Sequence, residues 1–203
     1  MSVAQLLKPE FTVDEYLALE RASDQRLIYL DGEIFAMAGE SGEHADITSN
    51  IVITLGNQLK GKPCRVRSKD TKVRSGIMPM SGLSVRGMFS YPDIVVICGE
   101  PEYHDAHEDV VINPKVIVET LSESTEAFDR GEKFERYKTW NPTLSDYLLV
   151  SQTSYEIQHS SRQADGTWLT RVYKGLDAKV EIASIDCVLR LADIYDRVKI
   201  AAS

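Results

Sequence analysis

Two carboxylates stand in stretches that are otherwise apolar. Asp93 opens the run Asp93-Ile-Val-Val-Ile-Cys98, and Glu119 interrupts Lys115-Val-Ile-Val-Glu-Thr-Leu121. Unbroken β-branched runs of this kind read as buried strands. If the two strands pair antiparallel, the start of one faces the end of the other, and the carboxylates meet at one rim of the sheet. Two oxygen donors converging there suit a hard divalent cation such as Mg2+ or Mn2+, with water and phosphate completing an octahedron. Such an ion neutralises phosphate charge and sharpens a water nucleophile. Taken singly, either residue reads as a strand-end charge that is solvated or paired with a nearby lysine. Two on consecutive strands point to a site.

The elements around these residues are readable from their periods. Ile47, Ile51, Leu55 and Leu59 recur every four residues and predict a helix over about 43–60, opened by Glu43 and His44 and ended by Gly61 and Pro63. Ser122 to Thr125 predicts the cap of a helix running to Trp140, stopped at Asn141-Pro142. Asp129, Lys133 and Tyr137 share one face of it at four-residue spacing. Tyr147-Leu-Leu-Val150 predicts a further strand. Upstream, Thr12-Val-Asp-Glu15 is a capping box, and Asp31-Gly32 between two apolar runs predicts a hairpin that carries Glu33. Downstream, a hairpin over about 155–174 turns at Asp165-Gly166, and a short helix follows near 191–198.

Cys64 to Arg74 alternates as a strand, with Arg65, Arg67 and Lys69 on one face, followed by Lys72 and Arg74. This basic strip could contact phosphates; alternating charge also protects edge strands from aggregation. Residues 75–90 read as a long loop in which Met78, Met80 and Met88 are packing or mobile contacts. Residues 100–109 are acidic, and His104-Asp-Ala-His107 within them reads as exposed loop and not as a metal site.

The chain of 203 residues has a hydrophobic content of 43% and predicts one domain over 1–203, its core at about 43–151. A net charge of -8 argues against a protein that coats nucleic acid nonspecifically. Cys64, Cys98 and Cys187 are few and widely spaced, which fits reduced thiols. With no signal segment and no apolar run of membrane length, the expected location is the cytoplasm. There is no Gly-rich phosphate loop and no Ser-His-Asp spacing to suggest a small-molecule enzyme.

Tyr91-Pro92-Asp93-Ile-Val-Val, Val116-Ile-Val-Glu-Thr-Leu-Ser-Glu-Ser-Thr125 and Asp129-Arg-Gly-Glu-Lys133-Phe-Glu-Arg-Tyr137 together resemble the Uma-two family, a former domain of unknown function within the PD-(D/E)XK nuclease superfamily. Leu30-Asp-Gly-Glu33, Met37-Ala-Gly to His44, and Tyr147-Leu-Leu-Val150 extend the resemblance over about residues 10–198. It implies an α/β (α+β) restriction-endonuclease-like core, a mixed central sheet flanked by helices, with an added N-terminal helix and hairpin and a C-terminal hairpin. It also implies that Asp93 and Glu119 are the acidic metal ligands. The lysine that usually follows two residues after the second acid is Leu121 here. Lys133, on the next helix, could supply its charge to the attacking water, or could instead form an exposed pair with Asp129. In related nucleases a glutamate from the first core helix completes the metal shell; Glu43, Glu33 and His44 could each serve, and His44 could equally be structural.

Two functions follow from these residues. One is a metal-dependent DNA endonuclease using Mg2+ or Mn2+, expected as a homodimer because cutting both strands of a duplex needs two sites. The other is a catalytically inactive, nuclease-derived domain that binds nucleic acid or a partner protein, favoured by Leu121 and the acidic net charge. The position of Lys133 relative to the two carboxylates separates them.

Overall fold

The computed structural model describes residues 10–37, 39–77 and 83–200. Met78 and Met80 lie outside the described residues. The chain begins with α1 (Val13–Arg21), β1 (Leu27–Leu30) and β2 (Glu33–Ala36), then α2 (Gly42–Leu59). There follow β3 (Cys64–Ser68), β4 (Lys72–Ser75), β5 (Met88–Ser90), β6 (Ile94–Cys98), β7 (Val110–Val111) and β8 (Val116–Leu121). Two short helices, α3 (Glu126–Arg130) and α4 (Glu132–Trp140), lead to β9 (Asp146–Ser151), β10 (Glu156–Arg162) and β11 (Trp168–Lys174). The described chain closes with β12 (Lys179–Ile182), β13 (Cys187–Arg190) and α5 (Leu191–Ile194).

The central element is a mixed sheet in the order β11-β10-β9-β8-β6-β3, in which β8 and β9 run parallel and the other neighbours antiparallel. Its middle strands are apolar on both faces because both faces are covered. The α2 stripe Ile47, Ile51 and Leu55 packs with Ile94, Val96, Val116 and Val118 on one side. Val95, Ile97, Ile117 and Leu121 pack with Tyr137 and Leu144 on the other. The parallel step from β8 to β9 needs a crossover, and α3 with α4 supplies it. A second sheet, in the order β2-β1-β5-β4-β7, packs against α1 through Tyr16, Tyr29 and Phe89. The fold is therefore the helix-flanked mixed sheet that the motifs predict, with the N-terminal helix and hairpin and the C-terminal hairpin added. Asp31 and Gly32 make the N-terminal turn with φ of 44° and 92°, the conformation an Asp-Gly pair tolerates.

Several sequence expectations need correction. The alternation over 64–74 is two strands in different sheets, because the chain turns after Ser68 and β4 joins β5 and β7. The stretch 75–90 is not all loop, since β5 lies within it and buries Met88. The helix expected up to Trp140 breaks at Gly131, whose φ of -108° and ψ of -105° are not helical; a Cβ there would stand 3.0 Å from the Ala127 carbonyl oxygen. The terminal helix covers Leu191–Ile194 alone, and the strand pair β12–β13 precedes it.

The three thiols are not all free. Cys64 and Cys98 are direct partners in the β3–β6 register and are joined by a disulfide, while Cys187 is free and buried. The acidic loop is also tied down. Arg21 donates to Asp109 at 2.8 and 3.0 Å and to Asp105 at 2.8 Å, and His104 is part-buried edge-on against Phe89.

Candidate active site

The site grows from the β6–β8 ladder. Its pairs Val96↔Val116, Val95↔Ile117 and Ile94↔Val118 are antiparallel, so the ladder ends with Asp93 just before Ile94 and Glu119 just after Val118 at one rim. The Asp93 carboxylate is then gripped from two sides. Oδ2 accepts the Thr120 backbone N–H at 2.7 Å, and Oδ1 lies 2.9 Å from His44 Nε2. His44 is aimed there by the start of α2, where the Ser41 hydroxyl caps the helix by accepting the His44 backbone N–H at 3.1 Å. Glu40 stands four residues before His44, with Oε2 3.7 Å from the same Nε2 and Oε1 paired with the Lys69 ammonium. Glu40, His44 and Asp93 each offer one ligand atom, and these three atoms lie within 4.8 Å of one another. Burial works to lower the His44 pKa, but Asp93 and Glu40 outweigh it and raise it above the ordinary imidazole value.

Glu119 faces the opposite layer, toward α4. It is 3% exposed, and the Lys133 ammonium lies 2.8 Å from its Oε1. That approach is ionic and off the hydrogen-bonding direction: Oε1 is buried and accepts no aligned hydrogen bond. The same ammonium donates to Asp129 Oδ1 at 2.9 Å, across the break at Gly131. Asp129 is itself held by α3, whose carbonyl at that residue accepts the Tyr147 hydroxyl at 2.9 Å. One turn beyond Lys133, the buried Tyr137 hydroxyl meets Ser90 at 2.6 Å.

The electrostatics follow from one ammonium among several carboxylates. Burial pushes Glu119 well above the usual carboxylate range against the pull of Lys133, and Asp129 and Asp93 add to the rise. Burial opposes the charge on Lys133 too, but Glu119 and Asp129 hold its proton well above the ordinary lysine value. The cluster therefore carries excess negative charge that a proton or a bound cation relieves. A buried carboxyl oxygen without an aligned donor, Glu119 Oε1, and an imidazole beside two carboxylates are donors that fit a divalent metal ion.

Glu43, although one residue from His44, is exposed in the first turn of α2, and Glu40 stands in the cluster instead. Glu33 is exposed on the edge strand β2 of the other sheet. Asp129, Lys133 and Tyr137 do line the α4 side of Glu119. The basic strip divides. Arg65, Arg67 and Lys69 lie on or just after the edge strand β3, with Arg65 exposed and Arg67 and Lys69 part-exposed. Lys72 and Arg74 are buried: Lys72 pairs with Glu20 and Asp109, and Arg74 donates to the Ile77 carbonyl at 2.7 Å, so neither can meet a phosphate. The sequence reading missed Glu40 and the Thr120 amide. Glu40 carried a usable signal, since it precedes His44 at helical spacing; a backbone donor carries none. A cleft lined by Glu40, Thr48, Val52, Ser68 and Lys69 opens beside the cluster.

The family model described as "Putative restriction endonuclease", Uma2, matches residues 13–191. The chain belongs to the Uma2 family. Two uncharacterized proteins of Synechocystis sp. are similar to it. The first, slr1290, is 35% identical over 187 residues, covering 92% of each chain. The second, sll1609, is 30% identical over 172 residues, covering 85% of this chain and 92% of that one. Among solved structures, a "putative nuclease belonging to DUF820" from Anabaena variabilis superposes with a TM-score of 0.72 at 18% identity, over 93% of this chain and 99% of that one. At that identity the likeness establishes the shared fold. No helix among the described residues is long and apolar enough to cross a membrane.

Proposed function

We propose that this Uma2 protein is a metal-dependent DNA endonuclease that hydrolyses phosphodiester bonds with Mg2+ or Mn2+, in a single nuclease domain spanning residues 1–203. The observation that carries it is the Lys133 ammonium, which reaches Glu119 from the following helix at 2.8 Å and so stands in for the lysine absent at Leu121. When bound beside Asp93 and Glu119, the ion supplies a Lewis acid for the phosphate and a more acidic attacking water. Asp93 holds its place through the Thr120 amide, which leaves Oδ1 directed at the cluster. Asp129 positions Lys133, and the retained proton on Nζ offers fixed positive charge to the oxygens that gain charge in the transition state. Arg65, Arg67 and Lys69 contact backbone phosphates alongside, setting position and not sequence. Two copies acting as a homodimer would supply one site per strand. In the cytoplasm, where such DNA is met, the Cys64–Cys98 pair would face reducing thiols.

A second function, binding without cutting, is favoured by one feature: Lys133 is already engaged with two carboxylates. Cleavage of supercoiled plasmid under Mg2+ and Mn2+ titration separates the two. Metal-dependent nicking by wild type that disappears in Asp93→Ala with Glu119→Ala supports the endonuclease. Metal binding through these residues with no cleavage supports the binding domain.

A further inference from the structure

We propose that the ion is held by a mixed nitrogen–oxygen set, His44 Nε2 with Asp93 Oδ1 and Glu40 Oε2, and that the site therefore prefers Mn2+ to Mg2+; this rests on the metal-dependent reading above and changes its ligand set, with His44 and Glu40 in place of Glu119. The three atoms come from three places that converge on one point: the residue before the α2 cap, the first turn of α2, and the start of β6. Ligands about 2.1 Å from an ion stand at most about 4.2 Å apart, so a span of 4.8 Å closes on an ion with sub-ångström movement.

The remaining oxygen of each carboxylate is already committed. Asp93 Oδ2 accepts the Thr120 N–H, and Glu40 Oε1 pairs with Lys69. That is the arrangement of outer partners that orient metal ligands. Glu119 is placed differently: its side chain is 4% exposed, and the Lys133 ammonium already lies against Oε1. The Glu40 side chain, at 26% exposed, opens the opposite side to solvent and gives an ion a way in. Lys133 thus serves Glu119, and the vicinity of His44 is left for the ion. A ring nitrogen in the set favours first-row transition ions, whereas Mg2+ demands oxygen ligands in a near-ideal octahedron.

The test uses the full chain stripped of metal by chelator and reloaded with Mn2+. Pulsed electron paramagnetic resonance reads nitrogen coupling to the ion, and equilibrium dialysis reads affinity for Mn2+ and for Mg2+. The expected result is nitrogen modulation in wild type that is lost in His44→Gln. Mn2+ affinity should fall at least about tenfold in both His44→Gln and Glu40→Gln, and wild type should bind Mn2+ at least about tenfold tighter than Mg2+. Thermal unfolding of the metal-free variants verifies that they fold, and the partly exposed Glu40 provides a second route should His44→Gln not fold. Mn2+ bound without nitrogen coupling, or with unchanged affinity in Glu40→Gln, overturns the proposed ligand set while leaving a metal-dependent nuclease standing. Wild type that binds neither ion overturns both.

Discussion

Asp93 and Glu119 flank Ile94↔Val118, the last pair of an antiparallel ladder, yet their carboxylates serve different partners. Asp93 is turned to His44 on the α2 side, and Glu119 to Lys133 on the α4 side. The sheet rim is thus a boundary between an imidazole and an ammonium, and the consequences of changing each can be measured separately.

Lys133→Met should be costly in two ways. It strands Glu119 and Asp129 as buried charges, and breaking a buried pair costs about 3–5 kcal/mol. Under the proposed endonuclease mechanism it also removes positive charge from the reacting phosphate, worth about 100-fold in cleavage rate. Combining it with Glu119→Gln should recover much of the stability and none of the activity. Urea unfolding and plasmid nicking on the same preparations give both numbers; joint recovery would show that Lys133 acts on stability alone.

The basic strip predicts a division among its members. Arg65→Ala with Arg67→Ala should weaken DNA binding uniformly across sequences and reduce the salt slope by about 0.9 for each phosphate no longer neutralised. Lys72→Ala should leave the salt slope unchanged and lower the unfolding midpoint, because its partners Glu20 and Asp109 are structural. Fluorescence anisotropy at several salt concentrations makes the comparison, and a changed slope in Lys72→Ala would contradict the buried placement.

Acid should unpick the anchor of the 100–109 loop. Hydrogen bonds from Arg21 hold Asp109 below its usual value, with Lys72 adding to the pull. Burial works the other way at Asp105, but Arg21 and the His107 amide still lower it. A lowered folded-state pKa stabilises the fold above the unfolded value, about pH 4, and loses that contribution as pH falls through the folded value. Asp109→Asn should therefore be less stable than wild type at pH 7, and the difference should begin to narrow below about pH 4 and close only as pH falls through the folded-state value. Urea midpoints at pH 7, 5, 4 and 3 measure this; a gap constant with pH would show that the charge of Asp109 is not what matters.

Opening the disulfide removes a cross-link spanning a sequence separation of 34. By loop-closure entropy, Cys64→Ser with Cys98→Ser should cost about 2–4 kcal/mol of stability. Denaturant unfolding with and without a thiol reductant should show the same loss in wild type and none further in the variant. Equal stability of the oxidised and reduced wild type would mean that the bond adds nothing to the register that already pairs these strands.

What could be read from the sequence was whatever obeys a local period. The α2 stripe, the Asp-Gly turn and the two carboxylate-bearing strands each follow from spacing within a few residues, whereas the turning of Asp93 to His44 and of Glu119 to Lys133 does not. The Asp129–Lys133 pair was also visible, since its four-residue spacing survives the break at Gly131. What could not be read depends on partners far along the chain. Lys72 looks like any strand lysine until Glu20 and Asp109, 52 and 37 residues away, enclose it. Charges alternate smoothly across 64–74, so nothing local marks the point where the chain leaves one sheet for the other. Cys64 and Cys98 become neighbours only once β3 and β6 are in register. The β12–β13 pair did have a local sign, with Val180 and Ile182 buried in alternation, but four residues of it are too few to outweigh the loop-like surroundings.

The position of the disulfide also has a mechanical meaning. An edge strand held only by ladder bonds can peel from either end under load, and β3 is such a strand, carrying the arginines that would grip a bound polymer. The Cys64–Cys98 bond rivets one end of it to β6, so fraying can start only from Ser68 and Ile94. Those residues adjoin Lys69 and Asp93. Tension applied along the groove is therefore delivered to the end of the strand that abuts the proposed metal ligands, and the far end acts as a fixed hinge.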